Sequence, residues 1–284
     1  MKLKDFILVT KPGIVVGNVI VALGAYAYSV DWSREAMLAM VWLALGTAVV
    51  IAASCVINNY IDRDIDRSMQ RTARRPTARG SFPLWVVVAY STMLYAIGFG
   101  VLYKYINPLT ASIGAAGALL YTAVYTPTKH RTYWAALIGT IPGATPPLAG
   151  YAAAHNQLDI VAWLLFAVLA VWQLPHFYAI SLFRLQQYRA AKVPVLPLVK
   201  STRRTVTEMR AYGVVFVVIC SLMGVYGGMH FIPVVVLVGC GLAWLRSMMA
   251  VPQDSAIWAR QVFRYSLPIL PAVSILLTLN RWIG

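Results

Sequence analysis

Three residues spaced four apart carry the most specific chemistry in this sequence. Asn58, Asp62 and Asp66 lie in the stretch "NNYIDRDIDRSMQRTARRPT", residues 58–77. On a helix that interval puts all three on one face, with successive side chains about 5–6 Å apart. Two carboxylates at such a distance repel each other. A divalent cation shared with an anionic substrate reverses the sign. Mg2+ suits this role because it takes oxygen ligands and prefers one or two carboxylates completed by substrate phosphates. Arg63, Arg67, Arg71 and Arg75 repeat at the same interval on the neighbouring stripe. Their planar guanidinium forks match phosphate oxygens. The expected element is one helix that Pro76 ends near Arg75. A competing reading makes the same residues juxtamembrane ion pairs plus orientation charges. An Asn-x-x-x-Asp-x-x-x-Asp ladder in a carboxylate-poor chain weighs against it.

The elements that must hold this ladder are set by composition. Sixty per cent of the 284 residues are hydrophobic, 12% are charged and mean hydropathy is +0.69. A soluble domain is about a quarter charged. The chain is therefore expected to be an all-α, polytopic membrane bundle forming a single domain over 1–284. Nine apolar segments approach the roughly 20 residues that a crossing needs: 14–30, 36–57, 83–103, 107–126, 133–153, 159–181, 211–228, 230–250 and 263–282. The short turn in "YGGMHFIP" leaves open a seventh and eighth segment that form a hairpin without full crossing. The start "MKLKDFILVTKPG" reads as a lead into the first span, not a removable signal. Cys55, Cys220 and Cys240 sit in apolar runs, as packing residues would.

Basic residues set the orientation. With nine crossings, only Arg34, Lys104 and Arg281 of the 24 lysines and arginines fall on one side of the membrane. The positive-inside rule then puts the N-terminus in the cytoplasm and the C-terminus outside. The net charge of +15 is an orientation signal and an attraction to anionic lipid. No soluble basic domain is present to bind nucleic acid, and the lipid bilayer is the expected surrounding. Two long basic loops, near 58–82 and 182–210, each follow an even-numbered span, which suggests an internal repeat. The second loop contains no acid between Arg184 and Lys200 but has Arg189 and Lys192. Such cations suit an acceptor with negative groups of its own, or the diphosphate itself. Lys129, His130 and Arg131 form a further basic turn that either joins the phosphate site or is simply solvated.

"NNYIDRDIDRSMQRTARRP" resembles the first signature of the UbiA-type membrane prenyltransferases. "YTPTKHRTYWAALIGTIPGATPPLAGY" and "WQLPHFYAISLFRLQQYRAAKVPVLPLVK" are similar to the haem-accepting branch of that family, so the resemblance covers nearly the whole chain. It implies a UbiA-like fold and Mg2+ held by Asp62 and Asp66 beside Asn58, with Arg71, Thr72 and Arg75 as the basic tail of the motif. It implies transfer of a farnesyl group from farnesyl diphosphate to a vinyl group of protoheme IX, with water addition, to give haem O. His176, Tyr178, Tyr188, Pro194 and Pro197 match the second motif, and Lys129, Arg131, Arg184 and Lys192 join them as expected substrate contacts. His176 follows Pro175, which can loosen a helix, and is expected either to touch haem or to bond a neighbouring helix. Two departures stand out. Gln187 precedes Tyr188 where the branch commonly has an acid, and Lys192 replaces a usual small residue. The resemblance further implies a bacterial inner membrane, with a downstream haem A synthase or terminal oxidase as partner. The alternatives are a sister enzyme acting on an aromatic quinone precursor, a non-catalytic haem-binding protein and a transporter. The last would carry acids near the membrane midplane.

Overall fold

The computed structural model describes residues 2–249 and 255–283, and every regular element among them is helical. Eight segments are long and apolar enough to cross a membrane: Pro12–Ser29, Arg34–Ile61, Leu84–Tyr105, Pro108–Thr128, Ile160–Phe183, Thr202–Tyr226, Phe231–Met249 and Ser255–Ile283. The other expected crossing, 133–153, is two half-helices, Ala135–Gly143 and Thr145–His155, broken at the non-helical Ala144. Pro146 and Pro147 supply no N–H to continue the ladder across the break, so a new helix starts there. The turn at Gly227–His230 joins helices of 25 and 19 residues, so the seventh and eighth segments are each of crossing length. The last span starts at Ser255, earlier than the expected 263. The expected end of the eighth span, residue 250, lies outside the described residues, as does Met1 of the N-terminal lead.

The expected continuous helix through Arg75 does not form. The second span ends at Ile61, a short helix covers Arg63–Ser68, and Met69 adopts an extended conformation that turns the chain back on itself. The arginine stripe is thereby dispersed. Arg63 donates to the Tyr60 carbonyl at 2.9 Å, and Arg67 donates to the Ala78 carbonyl at 2.7 Å. Pro175, by contrast, lies within an unbroken Ile160–Phe183 helix.

Most helices pack on their neighbours in chain order, Thr145–His155 also packs on Pro12–Ser29 and Ser255–Ser266 on Ile160–Phe183, and Ile269–Ile283 returns onto Pro12–Ser29, which closes the bundle into a ring. The basic loops gather at one end, where Lys129 pairs with Asp62. At the opposite end Arg281 pairs with Asp31, and the His230 N–H donates to Asn280 Oδ1 at 2.7 Å. Trp42 stacks on Tyr105 and Trp32 lies against Trp282 near that second end, as aromatic residues do at a membrane interface. The two long loops begin alike: a non-helical turn at Asp62 or Arg184, then a six-residue helix, Arg63–Ser68 or Leu185–Ala190. The three cysteines are free.

Close backbone approach holds the ring together at Gly150, where a Cβ would overlap the Ala22 carbonyl of the first span. Packing of this kind takes the place of the hydrophobic drive, which lipid removes. Gly150→Ala should therefore lower the thermal unfolding temperature in detergent, with a cost of about 1–3 kcal/mol. Gly100→Ala, where a Cβ meets nothing within 4 Å, is the matched control and should not lower it. Equal melting of both variants would contradict this packing account.

Candidate active site

The ladder survives the helix break because the hydrogen bonds continue through it. Asp62 N–H donates to the Asn58 carbonyl at 2.9 Å, and Asp66 N–H to the Asp62 carbonyl at 2.8 Å. The three side chains are 1%, 1% and 4% exposed, so the acids are buried at the end of the bundle. A buried carboxylate needs a compensating charge, and each has one. Asp62 is bonded by Lys129 Nζ and lies 3.1 Å from His130 Nε2. Asp66 takes Arg75 Nη1 on both oxygens, at 2.8 and 3.0 Å. The basic turn at 129–131 therefore divides. Lys129 and His130 reach the acid, whereas Arg131 is exposed and makes no side-chain ion pair among the described residues. Asp64 lies outside the ladder, exposed, and pairs with Arg67 at 3.2 Å.

Asn58 is held from both sides. Its Oδ1 accepts from Lys11 Nζ, and its Nδ2 donates to Thr126 Oγ1 at 2.9 Å. Thr126 caps a π-helical segment, Leu120–Tyr125, by donating to the Tyr121 carbonyl at 2.8 Å. Such bulges cluster at functional sites because they re-aim side chains. Neither Lys11 nor the bulge was anticipated from sequence. Lys11 read as one more orientation charge, although its place directly before Pro12 at the start of a span was a usable signal. Burial pushes the Lys11 ammonium down to about 8, with Asp62 opposing the shift. Arg71 is lowered from the ordinary arginine value, first by burial and then by the charges of Arg75 and Arg184. Arg71 thus belongs to the same cluster without having a carboxylate of its own. The Tyr188 phenol beside it is raised, first by burial and then by Tyr125.

Two cavities lie near this cluster. An apolar one lies among the first five spans, with Ser54, Cys55, Leu102, Gly117, Tyr121 and Ala149 in its wall. A second lies between the turn after the fourth span, the end of the sixth span and the second basic loop, walled by Tyr125, Lys129, Tyr133, Tyr178, Tyr188 and Pro194. Tyr121 and Tyr125 sit one turn apart on the bulge, their ring centroids 5.4 Å apart, so this ring pair lies between the two cavities. Gly139 makes room for it: a Cβ there would come within 2.6 Å of the Tyr125 ring.

Of the second-motif residues, Tyr178, Tyr188 and Pro194 come together here, and Pro197 is buried beside them in a short helix, Leu196–Val199. His176 does not join them. Its Nδ1 is 2.7 Å from Ser266 Oγ, and its ring stacks on Trp172 and leans on Phe263, against the last span. Residues 176 and 178 project to different sides of one helix, which motif spacing could not resolve. Arg184 lies over the Phe183 ring, and Lys192 is exposed in a left-handed conformation, φ 53°. That conformation favours small residues such as glycine, a physical reason for a small residue at this position. Gln187 Oε1 is buried without a hydrogen-bond partner among the described residues.

Among the described residues no three histidines, cysteines or acids gather as a metal site. The donors available are two carboxylates and the Asn58 amide, an all-oxygen set that is too small alone and would be completed by phosphate oxygens. That set fits Mg2+.

The chain matches the UbiA prenyltransferase family over residues 13–267. It is 37% identical to protoheme IX farnesyltransferase 2 of Pseudomonas aeruginosa, over 99% of this chain and 95% of that one. It is 35% identical to protoheme IX farnesyltransferase of Escherichia coli, again over 99% and 95%. Among solved structures it resembles digeranylgeranylglyceryl phosphate synthase, with a TM-score of 0.78, 17% identity and 99% of both chains covered. A UbiA homologue from Archaeoglobus fulgidus, bound to DMAPP and Mg2+, superposes with a TM-score of 0.70 at 14% identity, over 94% of this chain and 99% of that one. With the sequence match extending over nearly its whole length and the fold in agreement, the chain belongs to the UbiA prenyltransferase family.

Proposed function

We propose that this membrane enzyme transfers the farnesyl group of farnesyl diphosphate to a vinyl group of protoheme IX and adds water, which yields haem O and diphosphate. The observation that carries the reading is the pair of cavities on either side of the Tyr121–Tyr125 ring pair, near the buried acids. The apolar cavity suits an isoprenoid chain. The second suits a large planar acceptor, with aromatic walls inside and cations at its mouth. Arg184 and Lys192, on the second basic loop, would face the two propionates of haem. The relatives named as protoheme IX farnesyltransferases support this acceptor over an aromatic quinone precursor.

Asp62 and Asp66 would hold Mg2+, with Asn58 alongside. When bound, the ion neutralises charge on the leaving diphosphate. The cations already in the site serve the same group. Lys129 and Arg75 each have a carboxylate partner in the resting protein, and the arriving diphosphate gives them a second anion to bond. Among the described residues Arg71 and Lys11 have no carboxylate partner, and they are poised to take phosphate oxygens. The membrane helices keep water from the carbocation until the acceptor carbon meets it. His176 would act through packing on Ser266 and not as an iron ligand. On the positive-inside argument the site faces the cytoplasm of a bacterium, in its inner membrane, with the N-terminus on the same side, the C-terminus outside and the whole chain acting as one domain. A haem A synthase or terminal oxidase would take the product onward.

The decisive assay uses purified protein in detergent with Mg2+, farnesyl diphosphate, and haem competing against an aromatic acid acceptor. Prenylated haem is expected, and a prenylated aromatic acid as sole product would overturn the reading. In the same assay, Asp62→Asn and Asp66→Asn should each cut turnover by roughly 10²–10³-fold while the protein still inserts and melts cooperatively. Near-normal turnover at saturating Mg2+ would remove these acids from the metal site.

Arg71→Gln should raise the KM for farnesyl diphosphate about tenfold or more, the size of one lost charge-assisted hydrogen bond. It should affect the KM for haem less, and Arg71→Lys should recover only part because lysine lacks the fork. Equal losses for both substrates would indicate a folding defect.

Lys11 predicts a pH effect. Its pKa of about 8 lies below the 10.5 of an unfolded lysine. Between those values the unfolded chain holds more protons, so this group makes stability rise with pH in that window. Affinity for the diphosphate should move the other way and fall as pH passes 8 and the ammonium is lost. Lys11→Arg should abolish that fall, and an unchanged pH profile would exclude Lys11 from diphosphate binding.

A further inference from the structure

We infer that Tyr178 and Glu208 form the proton route through which water adds to the prenylated acceptor, with Tyr178 in contact with the water and Glu208 positioning it and receiving its proton. The inference rests on the farnesyl-to-haem reading above. Tyr178 is 6% exposed and walls the acceptor cavity, and its phenol donates to Glu208 Oε2 at 3.1 Å. Glu208 comes from the next helix in the ring, Thr202–Tyr226. Its other oxygen, Oε1, accepts from Arg204 Nε at 2.8 Å, which leaves Oε2 to the tyrosine. Arg204 is 64% exposed and Glu208 22%. The chain of groups therefore runs from the cavity wall to solvent.

The other tyrosines of the cavity lack this arrangement. Tyr125, Tyr133 and Tyr188 line the same space but have no acid within hydrogen-bond distance among the described residues. Asp62 and Asp66 are occupied at the diphosphate end by Lys129 and Arg75. Asp31 and Asp159 lie at the opposite end of the bundle, near Arg281 and Tyr151. Glu208 is thus the described acid joined to the acceptor cavity.

The step balances as follows. The allylic C–O bond breaks, and its electron pair leaves with diphosphate. The vinyl π pair forms the new C–C bond, which leaves the positive charge on the carbon next to the porphyrin. A water oxygen gives a lone pair to that carbon and forms the C–O bond. The surplus proton passes to the Tyr178 oxygen as the Tyr178 proton passes to Glu208 Oε2. The net change is one water consumed and one proton released. Without the relay, the same cation sheds a proton from a neighbouring carbon and yields a product lighter by one water.

That fork supplies a measurement which a packing role would not move. Tyr178→Phe and Glu208→Gln, purified in detergent and supplied with Mg2+, farnesyl diphosphate and haem, are analysed by mass for hydrated and dehydrated prenyl-haem. The ratio of hydrated to dehydrated product should fall by roughly 10²-fold, the scale of a lost general base. The double variant should show no further fall than either single variant. If Glu208→Gln fails to fold, Tyr178→Phe alone carries the test, because it keeps the ring and removes only the hydroxyl. An unchanged product ratio, with or without slower diphosphate release, would reduce the Tyr178–Glu208 bond to packing and overturn the inference. Wild-type protein that forms no prenylated haem would overturn the underlying reading and the relay with it.

Discussion

Two carboxylates buried at one end of a membrane bundle are the constraint on which the rest of this structure depends. Asp62 and Asp66 are taken out of water almost completely, and an isolated buried charge is too costly to persist. Each must be met by a cation brought from another part of the chain. Lys129 and His130 come from the turn after the fourth span and Arg75 from the fold-back loop, while Lys11, at the mouth of the first span, lies close enough for its charge to feel Asp62. The convergence of these segments defines the end of the bundle. Such a cluster is of limited worth to stability, since desolvation offsets much of the attraction. Its retention makes better sense as a preorganised site for a polyanion.

Three irregular features of the helices serve that convergence. The second span breaks at Asp62, which lets the chain turn and carry Arg75 back onto Asp66. The fourth span widens into a π-helical turn that delivers Thr126 to Asn58 and places Tyr121 and Tyr125 against different cavities. The fifth span is split at Ala144, so its first half can approach the Tyr125 ring closely while its second half packs on the first span. Inside a membrane, non-helical backbone is tolerated where protein or a cavity covers it, and these breaks surround the two cavities.

This arrangement separates the tasks of the site. Charge is confined to the rim, where the acids and cations are, and the wall of the apolar cavity beneath has no charged side chain among the described residues. The aromatic cavity beside the second basic loop is set off from it by one pair of tyrosines. A prenyl transfer needs that separation, because the reactive carbon must be near the diphosphate when it leaves and near the acceptor an instant later, with water kept out in between.

The sequence by itself determined the class, the spans and the acid ladder. Membrane helices depend on local hydropathy, and an i,i+4 spacing survives even a broken helix because the hydrogen bonds of a single turn are local. It also singled out Lys129, Tyr178 and Tyr188, which the fold brings into the wall of one cavity. Only the tertiary structure decided which cation meets which carboxylate, that Lys11 belongs to the site, that the arginine stripe is dispersed and that His176 faces Ser266 instead of the acceptor cavity. Those outcomes depend on where chain segments far apart in sequence come to lie, and on which side of a helix a residue faces once its neighbours are packed. Spacing along one chain does not encode either, whereas the closing of the ring of helices fixes both.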